Sequence, residues 1–119
     1  MILKFIKFWL PVILWAGMIF FLSSIPDLRS GLPNIFDLIL RKIAHSGEFG
    51  ILAILIVRAF GINSKNICLK AAIVAIIYAI ADEIHQGFVP GRIASATDVL
   101  IDSIGALTGL LIFALKRKT

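Results

Sequence analysis

The stretch that decides the fold is Ile67–Gln86, which reads ICLKAAIVAIIYAIADEIHQ. Apart from Lys70, every residue up to Ala81 is apolar or aromatic, and Asp82 and Glu83 follow directly. A helix that spans a bilayer needs about 17–25 mostly apolar residues. Charged groups near the bilayer core cost roughly 2.5–3.5 kcal/mol each on insertion scales, so they usually pair, line a cavity or do chemistry. The stretch therefore predicts a transmembrane helix that ends in a polar site.

Three further apolar runs surround this stretch: Phe5–Leu22, Ile43–Phe60 and Val99–Leu115. The 119-residue chain is 60% hydrophobic and has a mean hydropathy of +1.01, whereas soluble domains are about 45–50% apolar. We predict an all-α, polytopic membrane bundle of about four transmembrane helices, with residues 1–119 as a single domain.

The connections carry helix-start signals. Asn34, together with the i,i+4 pair Asp37 and Arg41, predicts a short interfacial helix that leads into the second span. The segment 61–66 predicts a tight turn, in which Asn63 or Ser64 caps the third helix.

Basic residues indicate the orientation. With four spans, both termini and the turn after Phe60 share one side. The basic residues on that side are Lys4, Lys7, Arg58, Lys65, Lys70, Lys116, Arg117 and Lys118. The positive-inside rule therefore places both termini in the cytoplasm. All 7 carboxylates then lie on the outer side, and the net charge of +5 reflects topology, which argues against nucleic-acid binding.

His45 and Glu48 are three residues apart, so they share one face near the outer end of the second span. Glu48 could fix the tautomer of a catalytic His45. The alternative is a solvated pair at the head-group level, or one bound to Arg41 or Lys42.

Asp82 and Glu83 approach the C-terminal end of the third helix, where the helix dipole disfavours anions by roughly 0.3–1 kcal/mol each. Neither capping nor helix propensity explains them, and Gln86 lies on the same face as Asp82. A functional or paired role is predicted, and exposed charge at a fraying helix end is the alternative.

The fourth span carries Asp98, Asp102, Gly105 and Gly109 on one stripe. The two glycines form a small-xxx-small pattern, which indicates packing within the bundle or a homodimer. Asp102 should point into the bundle, whereas Asp98 either joins the site or forms a capping box with Ser95.

The outer loop holds Val89–Arg92, where Pro followed by Gly favours a type II turn. This turn would aim Arg92 at the helix ends. There Arg92 would offer a bidentate donor to a phosphate, and Gln86 would offer a neutral one.

The segments Arg41–Phe49 (RKIAHSGEF) and Asp82–Arg92 (DEIHQGFVPGR), followed by Asp98 and Gly105, resemble the VanZ-like family of small bacterial integral membrane proteins. Ser23-Ser24 after the first span is also similar to that family. The likeness covers nearly the whole chain, and it is specific because these motifs occur together in this order.

Two positions depart from the family pattern, since Ser46 stands where an aromatic is common and Asp102 where asparagine is common. The family's named member confers low-level teicoplanin resistance. The resemblance therefore implies a multi-pass protein of the bacterial cytoplasmic membrane with a cell-envelope role.

The leading hypothesis is an outer-leaflet polar pocket that engages, and hydrolyses or transfers, the head group of a lipid or lipid-linked cell-wall intermediate. The predicted catalytic residues are His45, Glu48, Asp82 and Glu83. The predicted substrate-binding residues are Gln86, Arg92, Asp98 and Asp102. No cofactor or metal is expected, because no recognised metal-ligand spacing is present, although Asp82, Glu83 and Asp98 offer oxygen ligands.

Two non-catalytic alternatives stay open. The same polar residues could form a structural ion-pair network in a binding or interaction protein. A small transporter subunit could use Asp82 and Asp102 for cation passage, but no carboxylate reaches the inner half of any span. Whether the chain is an enzyme is not decided by the sequence.

Overall fold

The computed structural model describes residues 2–24, 34–89 and 95–117, nearly all of them helical. The four helices are α1 (Ile2–Ser23), α2 (Asn34–Phe60), α3 (Ile67–Gln86) and α4 (Ala96–Arg117). The all-α prediction is confirmed. The stretch predicted as a short interfacial helix is helical from Asn34 and continues without a break into the second span.

Three helical segments are long and apolar enough to cross a membrane: Ile2–Ser23, Ile39–Phe60 and Ala96–Arg117. The exterior of the bundle suits lipid, because large apolar side chains are exposed along every helix. Helix α3 has the predicted bounds but carries Lys70, Asp82 and Glu83 within its 20 residues. That α3 also crosses the bilayer stays a prediction.

Helix α2 is the centre of the bundle, since it packs against each of the other three helices and most extensively against α4. The fully buried face of α2 includes Phe49, Leu52 and Ile56. Helix α3 contributes alanines four residues apart, and small side chains at this spacing let helices approach closely. Those alanines are Ala71, Ala75 and Ala79.

The crossing of α2 and α4 depends on glycine. A Cβ added at Gly105 would lie 2.0 Å from the Ser46 carbonyl oxygen, and one added at Gly109 would lie 2.4 Å from the Gly50 carbonyl oxygen. The Ser46 hydroxyl also donates to the Ile101 carbonyl oxygen at 2.9 Å. Gly105 and Gly109 thus serve packing within the chain, and a homodimer through them stays a prediction.

The turn between α2 and α3 forms as predicted, but its cap does not. Gly61 adopts φ 103° and its carbonyl accepts a hydrogen bond from the Ser64 amide at 2.9 Å. The N-cap of α3 is Asn66, in the left-handed conformation and without a side-chain cap. The prediction of Asn63 or Ser64 is therefore wrong; the Asn63 side chain accepts a hydrogen bond from Arg117 instead.

Contacts between helix ends establish an antiparallel order. Trp9 of α1 packs edge-on against Phe60 of α2, with ring centroids 5.1 Å apart. The Arg117–Asn63 hydrogen bond brings the end of α4 to the same side. The ends of α1 and α3, the first half of α2 and the start of α4 therefore meet at the opposite end, which holds the polar residues.

Candidate functional site

His45 lies at the centre of a group of carboxylates. Its Nδ1 is 3.1 Å from Oε1 of Glu48, one helical turn away on α2. Its Nε2 is 3.1 Å from Oδ2 of Asp82 on α3 and 3.4 Å from Oδ2 of Asp102 on α4. We call these four residues the histidine–carboxylate cluster.

The antiparallel order of the helices builds this cluster. Asp82 lies about one turn before the end of α3, and Asp102 lies in the second turn of α4, so both reach the same depth. Both aspartates are only 1% exposed, whereas His45 is partly exposed. His45 and Asp82, both predicted as catalytic residues, are thus in contact, and the catalytic roles of the cluster's members stay predictions.

The C-terminal end of α1 and the residue after it contribute two serines, Ser23 and Ser24. The Ser23 hydroxyl donates to Oδ2 of Asp82 at 3.0 Å. The Ser24 hydroxyl is 2.8 Å from Nε2 of His85, whose ring stacks on Phe20 with centroids 3.9 Å apart. Reasoning from charge missed both serines; the available signal was a pair of small polar residues directly after an apolar span.

The predicted capping box at α4 is half correct. The Ser95 hydroxyl accepts a hydrogen bond from the Thr97 amide at 3.2 Å, so Ser95 caps the helix. Asp98 does not complete the box, because its carboxylate pairs with Lys42. The Ser95 amide donates instead to Oε1 of Glu83 at 2.7 Å, so Glu83 connects α3 to the start of α4.

A cavity of about 220 Å³ opens beside the cluster. Its polar lining residues are Ser23, Arg41, Lys42, His45, Glu48, Gln86, Asp98 and Asp102. Gln86, Asp98 and Asp102, which were predicted to bind substrate, all line the cavity, and that role stays a prediction. The turn that holds Arg92 lies outside the described residues.

Three buried carboxylate oxygens have no hydrogen-bond partner among the residues that the structure describes. They are Oδ1 of Asp82, Oε2 of Glu83 and Oδ2 of Asp102. A buried carboxylate is costly unless it is paired and hydrogen-bonded. Such unpartnered buried oxygens mark this group of residues as a candidate functional site.

The comparison with known families is decisive at this point: the VanZ/LLP1 family model matches residues 8–117. The chain belongs to the VanZ/LLP1 family. The matched range includes the whole histidine–carboxylate cluster and every residue that lines the cavity. No curated protein and no solved structure matches this VanZ/LLP1 protein.

Proposed function

We propose that this VanZ/LLP1 protein binds the phosphate-bearing head group of a lipid or lipid-linked cell-wall intermediate at the outer face of the bacterial cytoplasmic membrane. The observation that supports this proposal most strongly is a polar cavity at one end of an otherwise apolar bundle, lined by Arg41 and Lys42. Lysine and arginine bind phosphate through charge-assisted hydrogen bonds. A phosphate would compete with Asp98 for the Lys42 ammonium, and the Gln86 amide offers a neutral donor.

The cavity has the size of a head group. Its volume of about 220 Å³ is below the roughly 300–1,000 Å³ of pockets that enclose whole drug-sized ligands. Exposed apolar side chains surround the bundle, so acyl or polyprenyl tails can stay in the lipid phase. A lipid whose phosphate lies in the cavity and whose tails lie in the bilayer is consistent with both the cavity volume and the apolar exterior.

The proposal extends to hydrolysis or transfer of the phosphoester. Both ring nitrogens of His45 face carboxylates, which suits proton transfer better than nucleophilic attack. In hydrolysis, His45 accepts a proton while a water oxygen bonds to phosphorus, and it returns the proton to the departing ester oxygen. In transfer, an acceptor hydroxyl replaces the water. Glu48 holds the ring in position, and Asp82 and Asp102 stabilise the imidazolium.

Phosphate release from defined lipids tests the hydrolytic reaction. The purified protein is placed in vesicles that contain phosphatidate or a polyprenyl monophosphate, and inorganic phosphate is measured. General acid–base catalysis contributes about 10²–10⁴-fold, so His45→Gln should reduce release at least about 10²-fold at equal protein abundance. No release above protein-free vesicles from either lipid would refute hydrolysis.

Altered glycopeptide susceptibility is the cellular consequence that we propose. A protein that binds or converts lipid-linked cell-wall intermediates would change the surface at which glycopeptides act. Expression in a susceptible bacterium should raise the minimum inhibitory concentration of teicoplanin, and His45→Gln at equal abundance should not. Equal resistance conferred by the wild type and by His45→Gln would show that the phenotype does not depend on the histidine–carboxylate cluster.

A non-catalytic binding or interaction protein is the second candidate. Polar bonds join every helix of the bundle near the cluster, including Ser23–Asp82, Ser46–Ile101 and Lys42–Asp98. Such a network is also what a scaffold that fixes four helices would contain. The two functions differ in what removal of a carboxylate does to stability.

A further inference from the structure

We propose that His45, Asp82 and Asp102 form a binding site for a divalent metal, and that Zn²⁺ is the ion that their donor atoms suit best. One ligand atom from each residue lies within 4.8 Å of the other two. The distances from Nε2 of His45 to the two Oδ2 atoms are 3.1 and 3.4 Å. Tetrahedral Zn²⁺ with ligands at about 2.0–2.1 Å separates them by about 3.3 Å.

An unpartnered oxygen supports this site independently. Oδ2 of Asp102 belongs to a residue that is 1% exposed, and it has no hydrogen-bond partner in the described part of the chain. Nε2 of His45 carries at most one hydrogen, which reaches only one acceptor, and Oδ2 of Asp82 is the nearer one. A metal ion in place of that hydrogen contacts both carboxylates at the same time.

Glu48 and Ser23 occupy the positions of supporting residues around such an ion. With its hydrogen on Nδ1, His45 donates to Oε1 of Glu48 and turns the Nε2 lone pair toward the two aspartates. A carboxylate behind a metal-binding histidine is a recurrent arrangement that fixes the tautomer. Ser23 restrains Asp82 through its hydrogen bond to Oδ2.

Charge and donor type narrow the choice of metal. Two aspartates and a neutral imidazole carry two negative charges, which a divalent ion balances. Imidazole suits zinc and other transition metals, whereas carboxylates alone would suit Mg²⁺ or Ca²⁺. Three protein ligands leave a fourth position open, and His45 and Asp102 both line the cavity. A role for this position in holding water or phosphate rests on the proposed head-group binding, whereas metal binding itself does not. With a metal on Nε2 and its hydrogen on Nδ1, His45 would hold the ion and would not accept the proton assigned to it in the metal-free reaction.

Titration of the detergent-solubilised, chelator-treated protein with Zn²⁺ alone tests the proposal. About one Zn²⁺ should bind per chain, as expected for a single three-ligand site. His45→Gln and Asp102→Asn should each weaken binding at least about tenfold, and the positioning variant Glu48→Gln should weaken it about 10–100-fold. Glu83→Gln is the matched control, because it neutralises a buried acid next to Asp82 that contacts Ser95, and it should keep wild-type affinity.

Three outcomes would overturn the site. The first is wild-type binding below about 0.1 Zn²⁺ per chain, where a single three-ligand site predicts about one. The second is unchanged affinity in both ligand variants, and the third is an equal loss of affinity in Glu83→Gln. Tighter binding of Mn²⁺ than of Zn²⁺ would overturn the assignment of the metal. The wild-type measurement needs no variant to fold and no lipid. Zinc binding without phosphate release would therefore support the metal site and refute hydrolysis. Phosphate release without zinc binding would support hydrolysis and refute the metal site.

Discussion

At the residue scale, the buried carboxylates of Asp82 and Asp102 share one imidazole, and among the described residues Ser23 donates a further hydrogen bond to Asp82 but none to Asp102. Nε2 of His45 can donate one hydrogen bond, yet it faces both carboxylates at 3.1 and 3.4 Å. Within the described part of the chain, the Asp102 carboxylate is therefore incompletely compensated. Functional sites often retain such destabilising groups, because activity and stability make opposite demands.

Replacement of Asp102 distinguishes function from scaffolding. Asp102→Asn removes the less well compensated charge and keeps the side-chain shape. We therefore expect the free energy of unfolding in chelator to stay unchanged or to rise by about 1 kcal/mol. If the cluster is a structural ion-pair network, removal of one partner should instead cost about 3–5 kcal/mol. Denaturant unfolding in detergent micelles measures the difference.

The Lys42–Asp98 pair should contribute little to stability. The Lys42 side chain is 36% exposed and that of Asp98 is 23% exposed, and pairs open to solvent are worth about 0–1 kcal/mol. Asp98→Asn should thus lower the free energy of unfolding by less than about 1 kcal/mol. A loss of several kcal/mol would show that the pair is a structural element of the bundle.

At the element scale, backbone contact sets how closely α2 and α4 approach each other at their crossing. A Cβ at Gly109 would lie 2.4 Å from the Gly50 carbonyl oxygen, whereas a Cβ at Gly47 meets no atom within 4 Å. Gly109→Ala should therefore push the helices apart and cost about 1–3 kcal/mol. The control, Gly47→Ala, should be neutral or gain up to about 1 kcal/mol from helix propensity. Equal unfolding midpoints for the two variants would contradict close backbone contact at the α2–α4 crossing.

Helix positions could be predicted because apolar length and charge act locally. The apolar run up to Ala81 and its polar end predicted the bounds of α3, and the polar residues of α2, α3 and α4 were assigned to one site that includes His45 and Asp82. Competition between residues distant in sequence for the same hydrogen-bond donor could not be predicted. Ser95 and Asp98 satisfy a local capping rule, but Glu83 takes the Ser95 amide in the folded chain.

Contacts from α1 were equally beyond sequence reasoning. Ser23 and Asp82 are 59 residues apart, and only the packing of α1 against α3 decides that they meet. The α3 cap was missed for a different reason. Asn66 adopts a left-handed backbone at φ 55° and uses no side-chain cap, so side-chain propensity carried no signal for it.

At the scale of the whole molecule, orientation decides which leaflet the cavity faces. The turn 61–66 and the end of α4 lie at the end opposite the cluster, and the basic residues concentrate there. A reporter fused after the C-terminus should be active only in a cytoplasmic form. A fusion active outside the membrane would place the cavity in the inner leaflet.

Head-group binding at the cavity is the central claim, and thermal unfolding of the purified protein with matched lipids tests it most directly. Phosphatidate and diacylglycerol with the same acyl chains differ only in the phosphate. At a lipid concentration about 100 times Kd, phosphatidate should stabilise the protein by about 2.7 kcal/mol, and diacylglycerol should not. Lys42→Gln should reduce that stabilisation, whereas Lys7→Gln at the opposite end should not. Equal stabilisation of the wild type by both lipids would contradict head-group recognition.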